Sequence, residues 1–155
     1  MCGIAGIIKT GIGNKEEYKS IIKKMTNAII HRGPDDEGAE FFDNAIIGFR
    51  RLSIVDLSQE GHQPMYSSTK NECISFNGEI YGYRDIKKNL PEYPFKNNTD
   101  TEVILALYQK YGKELPEHLN GMFAFAIWNE EKQELFCARD RFGEKPFYYA
   151  IGENG

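Results

Sequence analysis

The longest uninterrupted apolar stretch, Met122 to Trp128, most constrains the fold of this chain. It falls far short of the roughly 20 residues that a membrane-spanning helix needs. A charged turn, Asn129 to Gln133, separates it from a second strand-like run, Glu134 to Ala138. Such runs read as neighbouring antiparallel strands, which must bury a face against another layer. Phe147 to Ala150 is expected to pair beside them.

The other segments fit the same plan. Gly3 to Ile8 reads as a strand that begins almost at the terminus, headed by Cys2 and closed by the turn-rich Lys9 to Asn14. From Lys15 to His31, Tyr18, Ile21, Ile22, Met25, Ala28 and Ile29 recur at helical spacing until Gly33-Pro34 ends the pattern. Phe41-Phe42 and Ala45 to Phe49 flank Asp43-Asn44 as a hairpin. After a polar stretch, Ser58 to Asn71, the run Cys73 to Phe76 predicts a strand that stops at a tight turn, Asn77-Gly78. Thr99 to Tyr111 predicts a second helix, with Val103, Ile104, Leu107 and Tyr108 on one face and Thr99 and Glu102 placed as a capping box. Antiparallel runs with helices between groups of strands indicate an α+β layered domain; a doubly wound parallel sheet is the weaker reading.

Composition narrows the function. A chain of 155 residues fits one domain and is long enough to bury a core without disulfides or metal. A net charge of −4, with no clustering of Lys and Arg, argues against nucleic acid. No run spans a membrane, and MCGIAG lacks the features of a signal peptide, so a cytoplasmic protein is expected. Cys2, Cys73 and Cys137 are odd in number and widely spaced, which disfavours a disulfide framework. His31, His62 and His118 lack the spacing of metal ligands, and no metal or cofactor is expected in this domain.

Several residues offer chemistry. With Met1 removed, Cys2 would combine a nucleophilic thiol with its own α-amino group, a base whose reference pKa is roughly 7.7–8.0. Asn77-Gly78 could donate a side-chain and a backbone N–H to an oxyanion. Arg51 suits a substrate carboxylate, while Glu79 and Asp100 suit an ammonium. Taken singly, each has a plainer reading: a small second residue, a structural turn, a charge complementing a helix dipole.

Together they change weight. MCGIAG at the terminus, HRGPDD (Arg32 within it), RLSIVD from Arg51, NGEIY from Asn77, NTDTEVIL from Asn98, GMFAFAIW from Gly121 and ARDRFGEKPFYY from Ala138 occur in this order. The set resembles the glutaminase domain of glutamine-hydrolysing asparagine synthetases, which are class II glutamine amidotransferases. The resemblance implies an N-terminal-nucleophile hydrolase fold, a four-layer α/β/β/α sandwich of two mainly antiparallel sheets. It implies Cys2 as nucleophile, and Asn77 and Gly78 as oxyanion hole. Arg51 would grip the glutamine α-carboxylate, backbone groups of Leu52, Ser53, Ile54 and Val55 would line the pocket, and Glu79 and Asp100 would hold the α-amino group. Arg32 is implied at the mouth of an ammonia tunnel.

Glutamine would be hydrolysed to glutamate, and the ammonia passed to a covalently linked synthetase domain. That domain would bring ATP and Mg for amidation of aspartate. Its Ser-Gly-Gly loop does not occur in this sequence. Residues 1–155 therefore read as a glutaminase domain cut short at its C-terminal end, with a homodimer compatible. Three rivals stand beside this reading. An N-terminal-cysteine hydrolase of apolar acyl amides is disfavoured by Arg51, Glu79 and Asp100. A non-catalytic glutamine binder would have no need of nucleophile and oxyanion donors. A Cys-His triad enzyme would need Cys73 or Cys137 in a nucleophile elbow, which neither has. A related amidotransferase with another ammonia acceptor stays open.

Overall fold

A computed structural model describes residues 1–13, 15–53 and 59–152. Its first sheet has three antiparallel strands in the order β1-β3-β2, formed by β1 (Gly3–Ile8), β2 (Asp36–Phe41) and β3 (Ala45–Arg51). The second has four antiparallel strands in chain order: β4 (Met65–Tyr66), β5 (Glu72–Ile80), β6 (Gly121–Asn129) and β7 (Glu134–Arg139). Helix α1 (Lys15–Ala28) packs on β1 and β3, and α3 (Asp100–Tyr111) packs on β5. A short helix, α2 (Tyr83–Lys88), leans on α3. The two sheets meet through β1, β3 and β5, so the layers run α1, first sheet, second sheet, α3. This is the α/β/β/α order expected.

Alternation along each strand explains the layering. Ile74, Phe76 and Ile80 of β5 and Phe123, Phe125 and Ile127 of β6 join Val103, Ile104 and Leu107 of α3 in the main core. Each such side chain, fully buried, contributes about 1.5–3 kcal/mol. The opposite face of the second sheet looks at the first, where Trp128 packs with Ala45 and Ile47. Cys73, Ser75 and Asn77 share that inner face by the same alternation. β1 contributes Cys2 at its head, and β1 and β5 meet across the gap between sheets.

Four expectations need correction. The first helix ends at Ala28 rather than His31, because Ile29, Arg32 and Gly33 bond three residues back and tighten the chain into a 3-10 turn before Pro34. Asn77-Gly78 is not a turn. β5 runs straight through it, with Asn77 opposite Ala124 and Gly78 opposite Phe123. Pairing with β6 overrides the local turn preference, and glycine is needed there for close approach: a Cβ on Gly78 would lie 2.2 Å from the Met122 carbonyl oxygen. Residues 147–150 form no strand; Tyr148 and Tyr149 are exposed. The chain is gathered before them by Asp140, whose carboxylate accepts N–H bonds from Phe142, Glu144 and Lys145. Finally, only half of the capping box forms. Thr99 Oγ1 accepts from Glu102 N at 3.3 Å, but the Glu102 carboxylate turns back to the N–H groups of Lys96 and Asn97.

Candidate active site

The upper ends of β1, β3 and β5 and the start of α3 enclose a cavity of about 290 Å³. Cys2, Arg51, Leu52, Ser53, Asn77, Gly78, Glu79 and Asp100 all line it. Ile54 and Val55 lie outside the described residues. Arg32 is not part of the wall. Its Nε donates to the Cys2 carbonyl at 3.1 Å, so it holds the backbone of the residue whose side chain enters the cavity.

The Cys2 sulfur rests against the loop after β3, accepting from Leu52 N at 3.5 Å and lying 3.8 Å from Leu52 O. Burial raises the thiol above its ordinary pKa. The Leu52 N–H, the Met1 α-amino group and Arg51 pull it down, and Asp100 adds to the rise. The sulfur is therefore held as a thiol that needs a base. Ser53 N is occupied by Asp35 of the HRGPDD block at 2.8 Å, which braces the same loop.

The end of β5 supplies the most telling feature. Successive N–H groups of a strand alternate sides, so Phe76, Gly78 and Ile80 all point away from β6. Phe76 N donates to Gln63 Oε1 at 2.7 Å, and Ile80 N donates to Asp100 Oδ2 at 3.1 Å. Between them, Gly78 N–H meets no acceptor among the described residues, because β4 pairs only with Cys73 and Ile74. Phe123, opposite Gly78, turns its own groups to Asp140 instead. Asn77 beside it is 4% exposed, and its side-chain amide bonds to no described residue. Two adjacent donors thus open into the cavity that holds the Cys2 thiol.

Asp100 lies at the N-terminus of α3, close to Glu79. Burial raises its carboxyl pKa; the N–H groups of Ile80 and Thr101 oppose the rise, and Glu79 reinforces it. Two neighbouring carboxyl groups, one of them buried, form a natural seat for an ammonium. Binding an ammonium restores the ionised form, so affinity should be lost on acidification at a higher pH than for an ordinary aspartate near 3.8. In Asp100→Asn the dependence on pH of KM for an ammonium-bearing substrate should flatten across that range while KM itself rises. Titrating KM against pH for both proteins checks this. The same sign makes ionised Asp100 a cost to folding at neutral pH, so the Asn variant should melt no lower.

Sequence reasoning missed Gln63, Thr101 and Lys145, which also line the cavity. Gln63 hid in a polar stretch without periodicity. Lys145 is 8% exposed and is carried there by the Asp140 loop. Burial would raise the Asp140 carboxyl pKa, but N–H groups from Lys145, Glu144, Phe123 and Phe142 outweigh it and hold it at about 2. Among the described residues no cluster of three or more His, Cys, Asp or Glu could hold a metal, and no helix is long and apolar enough to cross a membrane.

The family profile described as "Glutamine amidotransferase domain" matches residues 1–155. The chain belongs to the glutamine amidotransferase domain family. This amidotransferase domain is 46% identical to a putative glutamine-hydrolysing asparagine synthetase 2 of Methanocaldococcus jannaschii, over 96% of its own length and 32% of the relative's. It is 43% identical to asparagine synthetase 1 of Bacillus subtilis, over 96% of its own length and 24% of the relative's. An amidase, chry2, of Gibberella zeae is 39% identical, over 99% and 25% of the two chains. The amidotransferase domain therefore spans at most about a third of these relatives.

Proposed function

We propose that this domain hydrolyses the side-chain amide of glutamine to glutamate and ammonia through a thioester on Cys2. The observation that carries the reading is the cavity where the Cys2 thiol and the open donors of Asn77 and Gly78 share a wall with Arg51, Glu79 and Asp100. An amino-acid substrate fits this set: the guanidinium meets the α-carboxylate, and the paired acids meet the α-ammonium. Removal of Met1 frees the Cys2 α-amino group to accept the thiol proton. The sulfur attacks the amide carbon, and the resulting oxyanion accepts from Asn77 and Gly78. The C–N bond then breaks as the α-ammonium returns its proton to the leaving nitrogen, releasing ammonia. Water attacks the thioester and frees glutamate and the thiol. Arg32, bonded to the Cys2 carbonyl, holds the backbone of the nucleophile from outside the cavity wall.

We assign the ammonia to an ATP- and Mg-dependent synthetase joined to this domain, which converts aspartate to asparagine. The M. jannaschii and B. subtilis relatives support this acceptor. The amidase relative favours a second reading, in which another carboxyl compound is the acceptor. Incubating the protein with glutamine should yield glutamate and ammonia in equal amounts, and no turnover would end the hydrolytic reading. Adding ATP, Mg and aspartate to the protein in its natural length, with amide-¹⁵N glutamine, should give labelled asparagine. Label retained in ammonia alone would point to another acceptor.

A further inference from the structure

Gln63 links the pieces that the proposed reaction needs, yet nothing in the reaction uses it directly. Its side chain is 5% exposed and both ends are engaged. Oε1 accepts from Phe76 N of β5 at 2.7 Å, and Nε2 donates to Thr101 Oγ1 of α3 at 3.3 Å. Its backbone carbonyl presses on β2 of the other sheet, where a Cβ on Gly38 would lie 2.1 Å from that oxygen. One residue therefore touches both sheets and the helix that carries Asp100.

The reason lies in the shortness of β4. Met65 and Tyr66 pair with Ile74 and Cys73, and continuing the ladder would set Pro64 and Gln63 against Ser75 and Phe76. The peptide that would meet Phe76 is that of Gln63, and the Gln63 backbone carbonyl has turned away to Gly38. A primary carboxamide offers the same acceptor and donor as a peptide unit. The Gln63 side chain thus stands in for the missing peptide at Phe76, while no described residue stands in at Gly78.

We propose that Gln63 is a positioning residue of the oxyanion hole: its carboxamide pins the free edge of β5 at Phe76 and ties that edge to α3. Gly78 N–H is thereby left open and aimed at the Cys2 cavity. The proposal rests on the glutaminase reading. Because Asp100 fixes Ile80 on the other side, the open donor sits between two fixed neighbours. The Thr101 bond sets the distance between the strand bearing Asn77 and the helix bearing Asp100, and so between the reacting amide and its amine anchor.

The test compares Gln63→Leu, Gln63→Glu and Thr101→Val by steady-state glutaminase kinetics and by hydrogen exchange resolved along residues 72–80. Leucine keeps the bulk and loses both bonds. It should lower kcat by about 10- to 100-fold, the order expected for a misaligned site, with a smaller change in KM. Exchange should quicken at Phe76 but not at Cys73 or Ile74. Glutamate can still accept from Phe76 N and from the Thr101 hydroxyl, and should stay within about threefold of wild-type kcat. Valine at 101 loses only the helix link and should act mainly on glutamine KM. Wild-type kcat in Gln63→Leu, equal losses in the Leu and Glu variants, or exchange that rises evenly through β5 and β6 would each overturn the proposal. A wild-type protein that leaves glutamine intact would instead remove the glutaminase reading. The exchange pattern then still decides whether Gln63 pins Phe76.

Discussion

Cys2→Ala is expected to abolish glutamine hydrolysis, with a loss on the order of 10⁶-fold, as when the nucleophile of a serine hydrolase is removed. The change is small and its site is half-buried, so the fold should survive. Glutamine should still bind, because Arg51, Glu79 and Asp100 are untouched; calorimetry or protection against heating can read that binding separately from turnover. Hydrolysis at the wild-type rate in the alanine variant would defeat the mechanism. The α-amino group can be tested apart from the sulfur. A chain that keeps Met1 or carries an uncleaved N-terminal extension retains the thiol but lacks the base. Burial leaves that thiol protonated, so turnover should fall by about 10²- to 10⁴-fold, the usual contribution of a positioned base.

Asn77→Ala should lower kcat by about 10²- to 10³-fold while changing glutamine KM little, since the lost donor acts on charge that develops only in the transition state. The side chain bonds to no described residue, so its removal strands no buried partner and stability should hold. A large rise in KM with kcat preserved would assign Asn77 to ground-state binding instead. Gly78→Ala is a less clean probe. Its new methyl would lie 2.7 Å from the Phe123 Cα, so it would move the strand as well as the donor. Comparing the two separates the chemistry from the scaffold.

Much of this was legible in the sequence because local pattern and global fold agree. β1, β3, α3, β6 and β7 all follow from apolar periodicity and turn residues, and Thr99 caps α3 as its side chain suggests; of β2 the pattern marks only Phe41, because Asp36 to Glu40 carry no apolar alternation. What escaped was set by partners distant in the chain. Asn77-Gly78 carries a local signal for a turn, and only the β6 backbone beside it makes the pair extended. Met65–Tyr66 is too short to leave a pattern. Gln63 and Lys145 reach the cavity because a neighbouring strand edge and the Asp140 loop bring them there. The ordered motifs marked Cys2 and the residues that line the cavity around it. They did not reveal that Arg32 holds the Cys2 backbone, nor which donors are left open.

The brevity of β4 carries a consequence for how such a domain tolerates improvement. An unpaired strand edge is ordinarily a hazard, closed off by evolution or by designers. Here the unpaired edge includes Gly78 N–H, where the proposed mechanism places an anionic oxygen. Lengthening β4 until its backbone reached Gly78 would add a hydrogen bond and stiffen the sheet, and would put a carbonyl where the proposed mechanism needs the reacting oxygen. In this domain a more complete sheet would be a less capable one.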